Sequence, residues 1–106
     1  MAGPKNSASL FAALGDTTRL RLVSRLCHNG PMSIASLTAG SKVTRQAITK
    51  HLRMMEEAGL LRSRRHGRES VWELDQERLQ DVRRHLKMIS RQWDDALDRA
   101  RDLVES

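Results

Sequence analysis

At 106 residues and a formal net charge of +6, the chain fits one domain with one modest apolar core. No run approaches the roughly 18 apolar residues of a membrane span, and the Met1–Ser7 stretch lacks the apolar centre of a secretion signal. Cys27 is the only cysteine, which excludes an intrachain disulfide and a thiolate cluster, and a reducing, cytoplasmic location is expected.

Charge is unevenly placed. Residues 41–68 carry eight Lys/Arg against Glu56 and Glu57, whereas 69–106 carry seven against ten Asp/Glu. A basic middle and a slightly acidic tail imply one surface for a polyanion and another for a different partner. Tyr is absent and Phe11 is the only Phe, which argues against an aromatic platform for single-stranded bases.

Residues 1–7 are polar and expected to be flexible; 8–106 are expected to form a single domain. A short helix is predicted over 9–14, with Leu10, Phe11 and Leu14 on one side. Gly15 ends it, and Asp16 or Thr17 caps the next helix. That helix is expected to bury Leu20, Val23, Leu26 and Cys27, with Arg19, Arg21 and Arg25 directed largely elsewhere. Cys27 is therefore expected in the core and not as an oxidant sensor. Gly30-Pro31 marks a turn, after which Ser33 caps a short helix carrying Ile34, Ala35 and Leu37 that ends near Gly40.

The helix from Thr44 to Ala58 has the clearest period. Thr44 is its expected cap, and Ala47, Ile48, His51, Leu52, Met55 and Ala58 recur at the spacing of one face. Arg45, Gln46, Thr49, Lys50 and Arg53 are left outward, and Gly59 provides the stop. His51, on the apolar side, is expected to be packed and hydrogen-bonded and not a metal ligand. Two helices joined by a short turn, the second with an exposed polar surface, make a helix-turn-helix.

Residues 60–74 read as a β-hairpin with Gly67 at its turn and Trp72 and Leu74 facing inward. Its tip is expected to carry Arg64, Arg65, His66 and Arg68, suited to phosphate or minor-groove contact. From about 76 to 104 there is neither Gly nor Pro. Leu79, Val82, Leu86, Ile89, Trp93, Leu97, Ala100 and Val104 recur at intervals of three and four. A helix of that span is about 42 Å long. Its stripe exceeds what so small a core can cover, so a symmetric copy is the expected partner. Trp93 either anchors that seam or fills a gap against the body. Asp81 and His85, four apart, are expected to form a surface hydrogen bond or ion pair.

These features together resemble the ArsR/SmtB-type winged helix-turn-helix regulators over nearly the whole chain. The resemblance rests on Ala13-Leu-Gly-Asp-Thr-Thr-Arg-Leu-Arg-Leu, on Val43-Thr-Arg-Gln-Ala-Ile-Thr-Lys-His-Leu, on Glu57-Ala-Gly-Leu-Leu and on the Arg-rich wing. It implies a mainly α fold with a small β-hairpin. It also implies a homodimer paired through its first and last helices, binding double-stranded DNA at an imperfect inverted repeat and repressing transcription. Position by position, Arg45, Gln46, Thr49 and Lys50 match the family's DNA-facing surface, and His51-Leu52 its inward pair. Metal-sensing members place thiolates in the helix before the reading helix or Asp/His pairs in the last. Ser33-Ile-Ala-Ser-Leu-Thr has no such ligand, and the last helix has no second His of the expected pattern, so neither metal nor cofactor is expected. The stretch Gln92-Trp-Asp-Asp-Ala-Leu-Asp-Arg is similar to a non-metal branch. The effector is not implied.

The candidate DNA-contacting set is Thr44, Arg45, Gln46, Thr49, Lys50 and Arg53, with Arg64, Arg65 and Arg68 on the wing. The candidate pairing set is Leu10, Leu14, Leu79, Val82, Leu86, Ile89, Trp93 and Leu97. A nonspecific architectural DNA binder and a protein-interaction module built on the same fold are the alternatives. An enzyme is not expected, because no nucleophile–base pair, paired-carboxylate pocket or glycine-rich phosphate loop occurs.

Overall fold

The computed structural model describes residues 7–105. The proposed flexibility of 1–7 therefore falls outside the described residues, except that Ser7 already belongs to the first helix. The order is α1 (Ser7–Leu14), α2 (Thr17–Asn29), β1 (Met32–Ser33), α3 (Ile34–Thr38), α4 (Arg45–Glu57), β2 (Leu61–His66), β3 (Glu69–Leu74) and α5 (Gln76–Glu105). The chain is mainly helical, with a small antiparallel sheet ordered β1-β3-β2.

Capping side chains set the helix starts. Asp16 accepts the Arg19 backbone N–H at 3.0 Å to begin α2, and Ser33 accepts that of Ser36 to begin α3. Each satisfies a first-turn donor that has no partner inside its helix. Gly30, at φ +79°, then turns α2 into β1. The short strand β1 pairs Met32 with Trp72 and Ser33 with Val71; two residues are too few to show a strand period, and sequence reasoning passed it over.

The core gathers Leu10 of α1, Leu22, Val23 and Leu26 of α2, Ile34 and Leu37 of α3, and Ile48, Leu52 and Met55 of α4. Ala13, Leu60, Leu61, Trp72, Leu74 and Val82 complete it. The α2 stripe differs from expectation. Leu22 is buried, whereas Leu20 is half exposed and Cys27 is exposed, so Cys27 is not a core thiol. At 100° per residue, Leu20, Leu22, Val23, Leu26 and Cys27 span an arc of roughly 160°. Packing against α1, α4 and β3 selects the part of that arc centred on Leu26.

Two residues expected on the pairing surface serve the protomer's own core instead. Leu10 is fully buried and Val82 nearly so, because α1 lies directly against the first turns of α5. Leu14 and Leu79 pack at the edge of the core, and the Phe11 and His85 rings meet edge to face at 5.6 Å. His85 thus faces Phe11, while Asp81 bonds Arg78 at 3.1 Å and also Arg84. The expected Asp81–His85 pair is not made, because two arginines at i±3 reach the carboxylate first.

Beyond His85, α5 leaves the body. It is about 45 Å long at 1.5 Å per residue, and the molecule measures 67 × 34 × 20 Å. Leu86, Ile89, Trp93 and Leu97 are exposed along it, Trp93 at 64 %. Trp93 therefore fills no gap against its own body. No helix among the described residues is long and apolar enough to cross a membrane.

Candidate nucleic-acid interface

The Thr44 hydroxyl accepts the Ala47 N–H at 3.1 Å and starts α4. Ile48, Leu52 and Met55 then lie buried at spacings of four and three. With that face committed inward, Arg45, Gln46, Lys50 and Arg53 are exposed on the other, as the period predicts. Arg45, Lys50 and Arg53 have no ion-pair partner among the described residues. Thr49 is half-buried, and its hydroxyl donates to the Arg45 carbonyl at 2.8 Å. Its proton is thereby occupied, leaving an oxygen acceptor and a methyl group to offer a ligand.

A second set of contacts holds α4 from behind. Arg19 donates through Nε to the Ala13 carbonyl at 2.6 Å and through Nη1 to His51 Nδ1 at 3.2 Å. Arginine can only donate, so Nδ1 is the acceptor and a neutral His51 carries its proton on Nε2. Asp16 Oδ2 lies 4.0 Å from the same Nδ1. His51 is packed and hydrogen-bonded as expected, but Arg19 was placed elsewhere by sequence reasoning. Its only signal was its place within the Asp16–Arg19 stretch, three residues past the cap.

The Arg19 backbone N–H donated to Asp16 holds that carboxyl below its usual value of 3.8, against a desolvation effect that raises it; the Arg19 charge, and that of His51 when it is protonated, lower it further. A depressed folded-state value contributes stability that is complete above 3.8 and is lost as pH falls from there through the depressed value. Asp16→Asn keeps a capping oxygen but no charge. Its deficit in thermal midpoint should therefore be present at neutral pH and shrink on acidification through that window. A deficit that stays constant with pH would overturn the charge assignment.

The wing is the β2–β3 hairpin. Pairing runs from Leu61↔Leu74 to His66↔Glu69, so the turn consists of Gly67 and Arg68 alone. Gly67 has φ +65° and Arg68 a negative φ, the combination of a type II′ turn. Of the residues expected at the tip, only Arg68 is in the turn. Arg64, Arg65 and His66 lie on β2, because strand pairing continues up to the two-residue turn.

Alternation along β2 then separates the arginines. Arg64 shares a face with Arg62 and Glu73, and its Nη2 lies 3.6 Å from Glu73 Oε2. Arg65 shares the opposite face with Ser63, whose hydroxyl donates to Glu56 at the end of α4. Arg45, Lys50 and Arg53 of α4 and Arg65 and Arg68 of the wing are thus set on connected elements as cations without an ion-pair partner among the described residues, whereas Arg64 is partly neutralised. Such a surface offers base-edge hydrogen bonding from a helix and phosphate contact from a loop.

Residues 14–64 match the family model of a helix-turn-helix domain. The chain is 35 % identical over 83 residues to the uncharacterized HTH-type transcriptional regulator YuzN of Bacillus subtilis, covering 73 % of this chain and 90 % of that protein. It is 35 % identical over 96 residues to the HTH-type transcriptional regulator Rv2034 of Mycobacterium tuberculosis, covering 91 % and 86 %. Among solved structures, an ArsR-like transcriptional regulator from Rhodococcus sp. RHA1 superposes with a TM-score of 0.75 at 35 % identity, covering 92 % of this chain and 91 % of that one.

Proposed function

The chain belongs to the ArsR/SmtB family of winged helix-turn-helix DNA-binding transcriptional regulators, and on that premise we propose that it is a homodimeric, operator-specific repressor. Family members act by binding DNA and not by catalysis. The observation that carries the proposal is the exposed row Arg45, Gln46, Lys50 and Arg53, whose cations have no internal partner among the described residues. A 13-residue helix about 20 Å long fits lengthwise in a major groove about 12 Å wide.

Arg45 and Gln46, in the first turn, take the base edges: Arg to guanine, Gln to adenine. Lys50 and Arg53, further along, take phosphates. Thr44 and Thr49 border the same face, and Arg65 and Arg68 meet the flanking backbone or minor groove. Arg64 contributes less, since Glu73 competes for it. Two copies related by a twofold axis place two α4 helices in successive major grooves, about 34–36 Å apart. Occupying promoter DNA then denies it to polymerase. Neither Cys nor His occurs in α3, which favours an inducer other than a metal held there.

Selection from random duplexes by the purified protein should recover an imperfect inverted repeat; recovery of no common sequence would sink the proposal. Within that site, Arg45→Ala should cost about 1–3 kcal/mol and relax preference at one base pair per half-site. Lys50→Ala should weaken all sequences alike and lower the log–log salt slope by about one per subunit. Equal effects of both variants on every duplex would point to nonspecific binding.

A further inference from the structure

Between α2, the end of α3 and the turn that leads into α4 lies a groove of about 540 Å³. Small-molecule sites fall at roughly 300–1,000 Å³. The floor is apolar, formed by Leu22, Leu37, Val43 and Ile48. The rim is cationic, formed by Arg21, Arg25 and Lys42, and none of the described lining residues is acidic. Arg25 is held in place by donating to the Leu37 carbonyl at 2.8 Å and the Ser36 carbonyl at 3.0 Å. Arg21 and Lys42 are exposed and have no ion-pair partner among the described residues.

An uncharged apolar ligand would leave these cations unused, and a bare inorganic anion would leave the partly exposed Val43 uncovered above the buried Leu22, Leu37 and Ile48. A short hydrocarbon or aryl body ending in one carboxylate meets both demands. From this geometry we propose that the groove binds a small amphiphilic carboxylate as the regulator's effector. The inference rests on the operator-binding reading above.

The position of the groove supplies the coupling. Ser41, Lys42 and Val43 form one wall, and the next residue, Thr44, caps α4. That wall is a short turn held by Gly40 at φ +73° and by the Ser41 hydroxyl, which accepts the Val43 N–H. A ligand between α2 and this turn bears on the segment that aims the reading helix. It changes DNA affinity to the extent that it prefers one arrangement of the turn, and the coupling is reciprocal.

The test titrates isotope-labelled full-length protein with sodium octanoate and with sodium naphthoate. Saturable amide shifts are expected over 18–25 and 39–43, and none with octanol or inorganic phosphate, each of which has half the chemistry. Arg21→Ala combined with Lys42→Ala, both at exposed positions, should weaken carboxylate binding about tenfold, the loss of roughly one charge-assisted hydrogen bond. Bound carboxylate should lower operator affinity by the factor by which operator lowers carboxylate affinity. Absence of saturable shifts in a sample that still selects its operator overturns the effector site and leaves the repressor standing. Phosphate binding as tight as carboxylate overturns it as well. So does a double variant that keeps carboxylate affinity but loses operator affinity, since those cations would then serve DNA phosphates. Failure to select any operator is a different result, and counts against the repressor instead.

Discussion

Ile89→Asp combined with Trp93→Asp should give a folded monomer with little hold on its operator. Both side chains lie on the part of α5 that projects past the body, in one stripe with Leu86 and Leu97. Neither belongs to the protomer core or packs on its edge, so the fold should survive their loss. Burying the surface they expose, on both protomers, is worth on the order of 3–5 kcal/mol. Four carboxylates gathered in an apolar seam add a further cost. Dimerisation should weaken by about 1,000-fold or more, measured by sedimentation over a range of protein concentrations. Operator affinity should fall by roughly 100-fold, because the two half-sites are no longer engaged by one linked pair. A double variant that sediments as a dimer of unchanged stability would place the seam elsewhere. Leu10 and Val82 of the proposed pairing set are buried inside the protomer, so the substitutions are placed on the exposed part of the stripe.

The largest effect on stability is expected at Trp72. It is 3 % exposed at the centre of β3, paired across to Met32 on one side and to Ser63 on the other. Its side chain is therefore, with Leu61 and Leu74, one of the wing residues that belong to the same core as the helices, with Met32 of β1 packed against that core. Trp72→Ala should cost about 3–5 kcal/mol, a large part of the roughly 5–15 kcal/mol that stabilises a domain of this size. The urea midpoint should move accordingly, measured at fixed protein concentration because the proposed dimerisation would contribute to it. Trp72→Phe, which keeps most of the apolar volume, should recover most of the loss. A Trp72→Ala cost below about 1 kcal/mol would mean the hairpin stands without this anchor. In that case the wing would be held to the core chiefly by Leu61 and Leu74.

How much of this was legible beforehand follows from where each signal resides. The α4 helix, its Thr44 cap and its buried Ile48, Leu52 and Met55 were readable because helical period and capping chemistry are local. The hairpin was readable from Gly67 and from the alternation of Trp72 and Leu74, but its tip was not. Which of Arg64, Arg65 and Arg68 stands free depends on turn length, register and the chance of a Glu73 across the ladder. The Arg19–His51 contact has no local signal because it joins residues thirty-two apart, which only packing brings together.

The amino-acid sequence by itself determined the helices and the hairpin in their order, though not the two-residue β1, and the outward chemistry of α4, since those depend on residues within a few turns of one another. Tertiary structure alone decided which edge of the α2 apolar arc is buried, that Leu10 and Val82 belong to the core, and that Cys27 faces outward. It also decided that Arg21, Arg25 and Lys42 ring an apolar groove. The reason is geometric. A helix with apolar residues over nearly half its circumference can turn several faces inward at similar local cost, and only the shape of what it packs against selects one.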